Sequence, residues 1–364
     1  MQGGTTMSRT RTAALAALAG IALITTGCST VGAPGGEEES APSATAEGPF
    51  TIGISNGFIG SEYRTQMIDD IEEAAAEYQD EGTLEDLVLE NADVDVNGQI
   101  QQIRNLINSG VDAIIVDPNS ESALDAVFQE ATDQGILVFA IDQAVTTESV
   151  YNVGIDQGLW AETSAEWLTE QVGEDASIVA VNGISGHPAN EARWGAAEAV
   201  FEDAGVEVLT TADGGWDQAT GQQAMSDLLS TYGDIDGVWT QDGMALGVLQ
   251  AIIAADRVDE IVTTGETRNG FMRLWSEQSD DFESIGVTNP PGTGATALHI
   301  AMEMLAGGEL AEDALTDGHN IVLDLEEPVT NENFDEAWAA VQDQPDTYVS
   351  DSILSREDVQ AFFQ

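Results

Sequence analysis

Residues 97–141 read NGQIQQIRNLINSGVDAIIVDPNSESALDAVFQEATDQGILVFAI, and this stretch decides the fold. Asn97–Ser109 places Ile100, Ile103, Leu106 and Ile107 on one face at helical spacing, whereas Ala113–Val116 and Leu137–Ile141 are short, unbroken apolar runs. Ser120–Thr132 between them again reads as a helix. Strands with no polar interruption are buried on both faces, and strands of that kind joined through helices form parallel βαβ units.

The same alternation runs outward in both directions. Upstream lie a strand at Thr51–Ser55, a helical pattern from Ser61 to Tyr78 and a weaker strand at Leu87–Glu90. Downstream the rhythm restarts with a helix at Trp160–Val172, a strand at Ser177–Val181 and a helix at Ala189–Ala204. Val206–Leu209, Gln218–Ser230, Gly237–Thr240, Ala245–Ala255, Ile261–Thr264 and Ser284–Val287 continue it, and Gly294–Leu305 is one more helix before a shorter tail. An α/β fold of two doubly wound, Rossmann-like lobes is expected.

The N-terminal segment has a different character. Arg9 and Arg11 precede Ala13 to Ile24, which carry no charge, and small residues lead into Cys28, the chain's one cysteine. This is the layout of an export signal, with an apolar core too short for a mature membrane span. Cys28 in Thr25-Thr26-Gly27-Cys28 resembles the lipobox of bacterial lipoproteins, with Thr25 where Leu is usual. That resemblance implies removal of residues 1–27, lipidation of Cys28 and tethering at the extracytoplasmic face of the cell membrane; an unmodified, free or buried Cys28 is the alternative. Met7 is the expected start, since signal basic residues normally follow the initiator closely. Residues 28–49, rich in Gly, Pro, Ala, Ser, Thr and Glu, read as a flexible acidic spacer.

Charge narrows the partners. The chain has 66 acidic residues against nine basic ones, and all nine are arginines. Such a surface repels nucleic acid and anionic lipid, both of which need a basic footprint. General adaptation to salt-rich surroundings explains it more simply than any specific acidic partner does.

In open α/β sheets ligands bind beyond the carboxyl ends of the strands. The residues there are Asn56 to Arg64, including Phe58 and Tyr63; Asp117 to Ser120; Asp142 and Gln143; His187 to Arg193; Trp216 and Asp217; Gln241 to Gly243; and Glu266 to Arg268. Aromatic faces cover the C–H face of a sugar ring, while carboxylates, amides and guanidinium forks bond paired hydroxyls. Each residue has a plainer reading too: Asp142 and Asp242 as helix caps, Arg64 and Arg193 as salt-bridge partners, Trp216 as core. Trp160, Trp167, Trp239 and Trp275 read as packing.

The helix Gln101–Asn105 followed by Gly110-Val111-Asp112-Ala113-Ile114-Ile115-Val116, the Ile141-Asp142 strand end, and Gln241-Asp242-Gly243-Met244-Ala245-Leu246-Gly247 resemble the solute-binding proteins of bacterial ABC-type sugar importers. The resemblance is to their ribose/galactose-type group and covers about residues 50 to 325. It implies the type I arrangement, two lobes joined by a multi-strand hinge. Residues 50–152 with 289–318 would form the N-terminal lobe, and 153–288 with 319–364 the C-terminal lobe and tail. Carried over residue by residue, Asp142 matches a strand-end Asp that grips hydroxyls, and Gln143 falls where ribose-type members have Arg. Arg193 matches the Arg opening a second-lobe helix, Trp216 the ring-covering aromatic, Asp242 and Glu266 the polar strand ends, and Asn289 a hinge amide. Tyr63-Arg64 resembles the aromatic-Arg pair of galactofuranose-type members. The implied ligand set is Asn56, Phe58, Tyr63, Arg64, Asp142, Gln143, Arg193, Trp216, Asp242, Glu266 and Asn289, with Arg268 a weaker candidate.

Two motifs are set aside. Asp93 to Gly98 opens like an EF-hand loop, but the twelfth position is Arg104 instead of a bidentate Glu; Asn97 as a helix cap explains the segment. Gly292 to Ala297 fits G-x-G-x-x-A, yet it follows Pro290-Pro291 and lacks the ribose-binding acid downstream. His187, His299 and His319 show no metal-ligand spacing and no serine elbow, and Cys28 is committed to lipid, so no enzyme, cofactor or metal is expected. The expected function is a lipid-anchored, monomeric protein that binds a sugar or polyol and delivers it to an ABC permease. A sensory module presenting a furanose-like signal to a membrane receptor is the alternative.

Overall fold

A computed structural model describes residues 48–279 and 281–364. The expected signal segment 1–27, Cys28 and the expected spacer up to residue 47 lie outside the described residues.

The chain runs β1 (Phe50–Asn56), α1 (Glu62–Glu81), β2 (Leu84–Asn91), α2 (Val96–Ser109), β3 (Ala113–Asp117), α3 (Asp125–Thr132), β4 (Leu137–Ile141) and β5 (Tyr151–Ile155). A second series follows: α4 (Gln157–Val172), β6 (Ser177–Asn182), α5 (Pro188–Ala204), β7 (Glu207–Asp213), α6 (Gln218–Thr231), β8 (Gly237–Thr240), α7 (Ala245–Ala254), β9 (Val262–Thr263), α8 (Asn269–Ser276) and β10 (Ile285–Gly286). The chain ends with α9 (Thr293–Leu305), β11 (Asn320–Leu323), β12 (Val329–Thr330), α10 (Phe334–Val341) and a 3-10 turn at Asp358–Phe362.

The first sheet has the order β11-β5-β4-β3-β1-β2, all parallel, and the second the order β7-β6-β8-β9, also all parallel. β10 and β12 pair antiparallel and continue the second sheet through the Gly265–Gly286 bridge. Alternate residues of each strand face opposite cores. In β3, Ile115 packs under α1 and α9 while Ile114 and Val116 pack under α2 and α3. In β6, Ile178 and Ala180 face Trp160 and Phe201, while Val179 and Val181 face Met225 and Val248. The unbroken apolar runs therefore mean what they mean in any parallel sheet covered on both sides.

Four segments cross between the lobes: β5 to α4, β10 to α9, β11 to β12, and α10 to the terminal 3-10 turn. This corrects the expected boundaries. β5 belongs wholly to the first sheet, so the first crossing follows Ile155, not Asn152. β11, assigned to the C-terminal lobe, forms the edge of the first sheet beside β5, and Val359 joins the first core. The Asn152 and Asn320 side chains bond each other at 2.6 Å across those two neighbouring strands, a polar pairing invisible to a search for apolar runs. Local signals also differ in detail: α3 begins at Asp125, and Asp95, not Asn97, caps α2 by accepting from Gly98 N–H at 2.8 Å.

Candidate ligand-binding site

In each sheet the strand order reverses beside the first strand, between β1 and β3 in one lobe and between β6 and β8 in the other. The carboxyl ends at both switch points face one cleft, the place where open α/β sheets hold ligands.

On the first-lobe side, Ser61 caps α1 and so sets Tyr63 and Arg64 in its first turn, aimed at the strand ends. Arg64 Nη1 donates to Asn56 Oδ1 at 2.8 Å and lies 2.6 Å from Asp117 Oδ2, an ion contact without hydrogen-bond alignment. Its Nη2 is buried, 4.0 Å from Asp142 Oδ2, and has no hydrogen-bond partner in the protein. Asp142 adopts a left-handed backbone with φ 59°, a conformation that Asp tolerates better than most residues. Its Oδ1 accepts from Asn289 Nδ2 at 3.0 Å, and its Oδ2 accepts from Gln143 Nε2 at 3.1 Å. Tyr63 donates its hydroxyl to Pro290 O at 3.3 Å.

On the second-lobe side, Arg193 in the second turn of α5 donates Nε–H to Gln157 Oε1 at 2.7 Å and pairs through Nη1 with Asp242; its buried Nη2 has no partner. Trp216 also has a left-handed backbone, φ 53°, which presents its ring to the cleft while the indole N–H donates to Gln241 Oε1 at 3.0 Å. Gly183 lies under that ring, and His187 meets it edge-on at 5.7 Å. Glu266 accepts from Gly243 N–H at 2.7 Å and from Arg268 Nε at 3.1 Å.

Burial dominates the electrostatics. Desolvation pushes the Asp117 carboxyl well above the ordinary range despite the opposing charge of Arg64, and it raises Asp242 in spite of Arg193. Desolvation, followed by the charges of Asp142 and Asp117, raises the Tyr63 hydroxyl in the same way, so it stays a neutral donor. The cleft therefore offers neutral and charge-compensated hydrogen-bonding groups between aromatic faces.

Residues 52–309 match the model of a periplasmic binding protein domain. The chain belongs to the periplasmic binding protein family. Its two parallel-sheet lobes are the type I arrangement of that family. This binding protein is 30% identical over 260 residues to a xylitol-binding protein of Mycolicibacterium smegmatis, covering 69% of this chain and 70% of that one. It is 27% identical over 205 residues to a ribose import binding protein of Bacillus subtilis (strain 168), covering 56% of this chain and 65% of that protein, just under two thirds of its length. The crystal structure of an ABC transporter solute binding protein from Thermobispora bispora DSM 43833 superposes with a TM-score of 0.75 at 26% identity, covering 85% of this chain and 92% of that one.

Nine residues named from the sequence line the cleft of the binding protein: Phe58, Tyr63, Arg64, Asp142, Gln143, Arg193, Trp216, Asp242 and Asn289. Asn56 and Glu266 stand one layer behind. Asn56 bonds Asn91 and Arg64, and Glu266 is occupied by Gly243, Gln218 and Arg268. Gln143 lines the wall with both ends of its amide already engaged, Nε2 on Asp142 and Oε1 on the Ala189 N–H of the opposite lobe. Arg268, weighted low in the sequence, does reach the cleft, together with Ser61, Ala189 and Gly243. The signal for Arg268 was Glu266 two residues upstream, which turns its side chain inward.

Proposed function

We propose that this protein is an extracytoplasmic solute-binding lipoprotein of an ABC importer. It captures a neutral sugar or polyol between its lobes and hands it to the permease. The observation carrying this reading is the pair of buried, unpartnered guanidinium nitrogens, Arg64 Nη2 and Arg193 Nη2, one from each lobe and both on residues lining one cleft. A buried donor without a partner costs free energy that a ligand hydroxyl recovers. Because the donors come from opposite lobes, a ligand that satisfies both favours closure about the crossing segments. Asp142 and Asp242 supply acceptors beside them, and Phe58, Tyr63 and Trp216 supply ring faces. Both guanidinium groups already face carboxylates, which disfavours an anionic ligand. The relatives named for ribose and xylitol support the ligand class, and the signal-like segment before Cys28 supports lipid anchoring at the membrane face.

A thermal-shift screen of the full chain in molar salt, against pentoses, hexoses, polyols and sugar acids, tests the reading. A ligand at a hundred times its dissociation constant stabilises by about 2.7 kcal/mol, or about 5–10 °C. A rise confined to neutral polyhydroxyl compounds supports it. A rise with sugar acids alone, or none across the panel, overturns the ligand class. Globomycin-sensitive processing and loss of membrane association in Cys28→Ser test the anchor.

A further inference from the structure

Arg268 is a deeply held cation lining the cleft. Its side chain is 2% exposed, its Nε–H is fixed on Glu266 Oε2, and its backbone is bridged to Val349 of the C-terminal tail. The guanidinium then extends out of its own lobe, and Nη1 meets the carboxylate of Glu62. Glu62 is the first residue of α1 in the opposite lobe, beside the Ser61 cap, where the positive end of the helix favours a carboxylate. Glu62 is not among the residues lining the cleft, and its side chain is 41% exposed. Arg268 is therefore oriented by its own lobe before the two meet, so little of its side-chain freedom is lost in the contact.

We propose that Glu62 and Arg268 form an interlobe clasp that stabilises the closed protein, so that Glu62 sets ligand affinity without touching the ligand. The affinity part rests on the binding function proposed above; the conformational part does not. A bond present only in the closed form raises the closed population, and apparent affinity scales with that population. Every ligand that requires closure gains by the same factor, whatever its hydroxyl pattern. Because Glu62 is open to solvent, the gain is screened by salt.

The test compares wild type with Glu62→Gln and Glu62→Asp, all as the full chain. Calorimetric titration uses D-ribose, D-galactose, xylitol and myo-inositol at low and molar salt, and small-angle scattering without sugar reads the radius of gyration. The clasp predicts that Glu62→Gln weakens every sugar that binds wild type by one common factor of about three to ten. That factor shrinks toward one in molar salt, and the sugar-free radius of gyration rises at low salt. Glu62→Asp, which keeps the charge, retains part of the effect. Weakening confined to one sugar means direct ligand contact and overturns the proposal. Unchanged affinities with unchanged scattering overturn it as well. If none of the four sugars binds wild type, the binding function fails on this panel while scattering alone still decides the clasp: expansion in Glu62→Gln upholds it, and identical curves end it.

Discussion

The guanidinium carbon of Arg193 lies 4.2 Å from the ring centroid of Trp160, and the indole N–H of Trp160 donates to Val287 O at 3.2 Å. Trp160 is in α4 just after one interlobe crossing, and Val287 lies on another. A cleft arginine is thus packed, through one aromatic ring, against two of the segments that cross between the lobes. The same guanidinium also holds Gln157 and Asp242, which makes it part of the core and part of the site at once.

Arg193→Ala is therefore expected to remove sugar binding and also to destabilise the fold. Truncation leaves the largely buried Asp242 carboxylate beside Glu266 and Asp142 without its nearest compensating charge, Arg268 being the other, a change that costs up to about 3–5 kcal/mol in comparable buried pairs. Urea unfolding and calorimetric titration read the two effects separately. Arg193→Lys keeps the charge but loses the fork, and should recover more of the stability than of the affinity.

Gln143 carries a second direct bond between the lobes, Oε1 accepting from Ala189 N–H at 2.9 Å. Gln143→Ala breaks it and frees Asp142 Oδ2 from its amide. One neutral hydrogen bond contributes about 0.5–1.5 kcal/mol, so affinity should fall about two- to tenfold with the melting temperature nearly unchanged. An equal loss in stability and affinity would mean that the bond supports the fold and not closure.

Legibility of this site followed the physics of each signal. Strand ends were readable because apolar runs stop at the sheet edge, and that alone located Asp142, Gln143, Asp242 and the Arg64 region. The occupancy of each polar atom was not readable. Asn56 and Glu266 sit at strand ends like the others, yet their side chains are turned to Arg64 and Arg268 by contacts 8 and 2 residues away in sequence. β5 escaped the pattern because Asn152 and Gly154 interrupt it, and β11 because four residues after a turn at Asp317-Gly318 resemble a tail. Both strands are held by the Asn152–Asn320 contact, 168 residues apart, which no local window contains.

Gly183 is required by Trp216. A Cβ at Gly183 would stand 2.2 Å from the indole Cε2 and Nε1, so Gly183→Ala must displace the ring. Trp216 is only half-buried, and the displacement should cost little stability while lowering sugar affinity by about tenfold or more. Trp216→Ala should lower it at least as far. Equal affinities in wild type and both variants would take Trp216 out of the site.

The C-terminal tail supplies a pH dependence of its own. Asp351 reaches across to α1, where its carboxyl meets that of Asp70, and Asp351 Oδ2 accepts from Gly292 N–H at 2.7 Å at the start of α9. Burial first, then the neighbouring Asp70 charge, pushes Asp351 up to about 8, and burial pushes Asp70 up to about 6; Asp69, Glu73 and Glu326 add negative charge around them. The pair therefore keeps a proton to neutral pH that the unfolded chain has already released near pH 4. With more protons bound folded than unfolded over that interval, stability falls as pH rises from about 4 to about 8 and is flat beyond it. Asp351→Asn replaces the shared proton with a permanent amide donor, so the variant should lose less over that window and exceed wild type above pH 8, by an amount on the order of 2 kcal/mol. Urea midpoints of both proteins at pH 5 and pH 8.5 measure it, and the difference between them cancels the general repulsion of so acidic a chain. Parallel pH profiles would mean that the two carboxyls ionise independently.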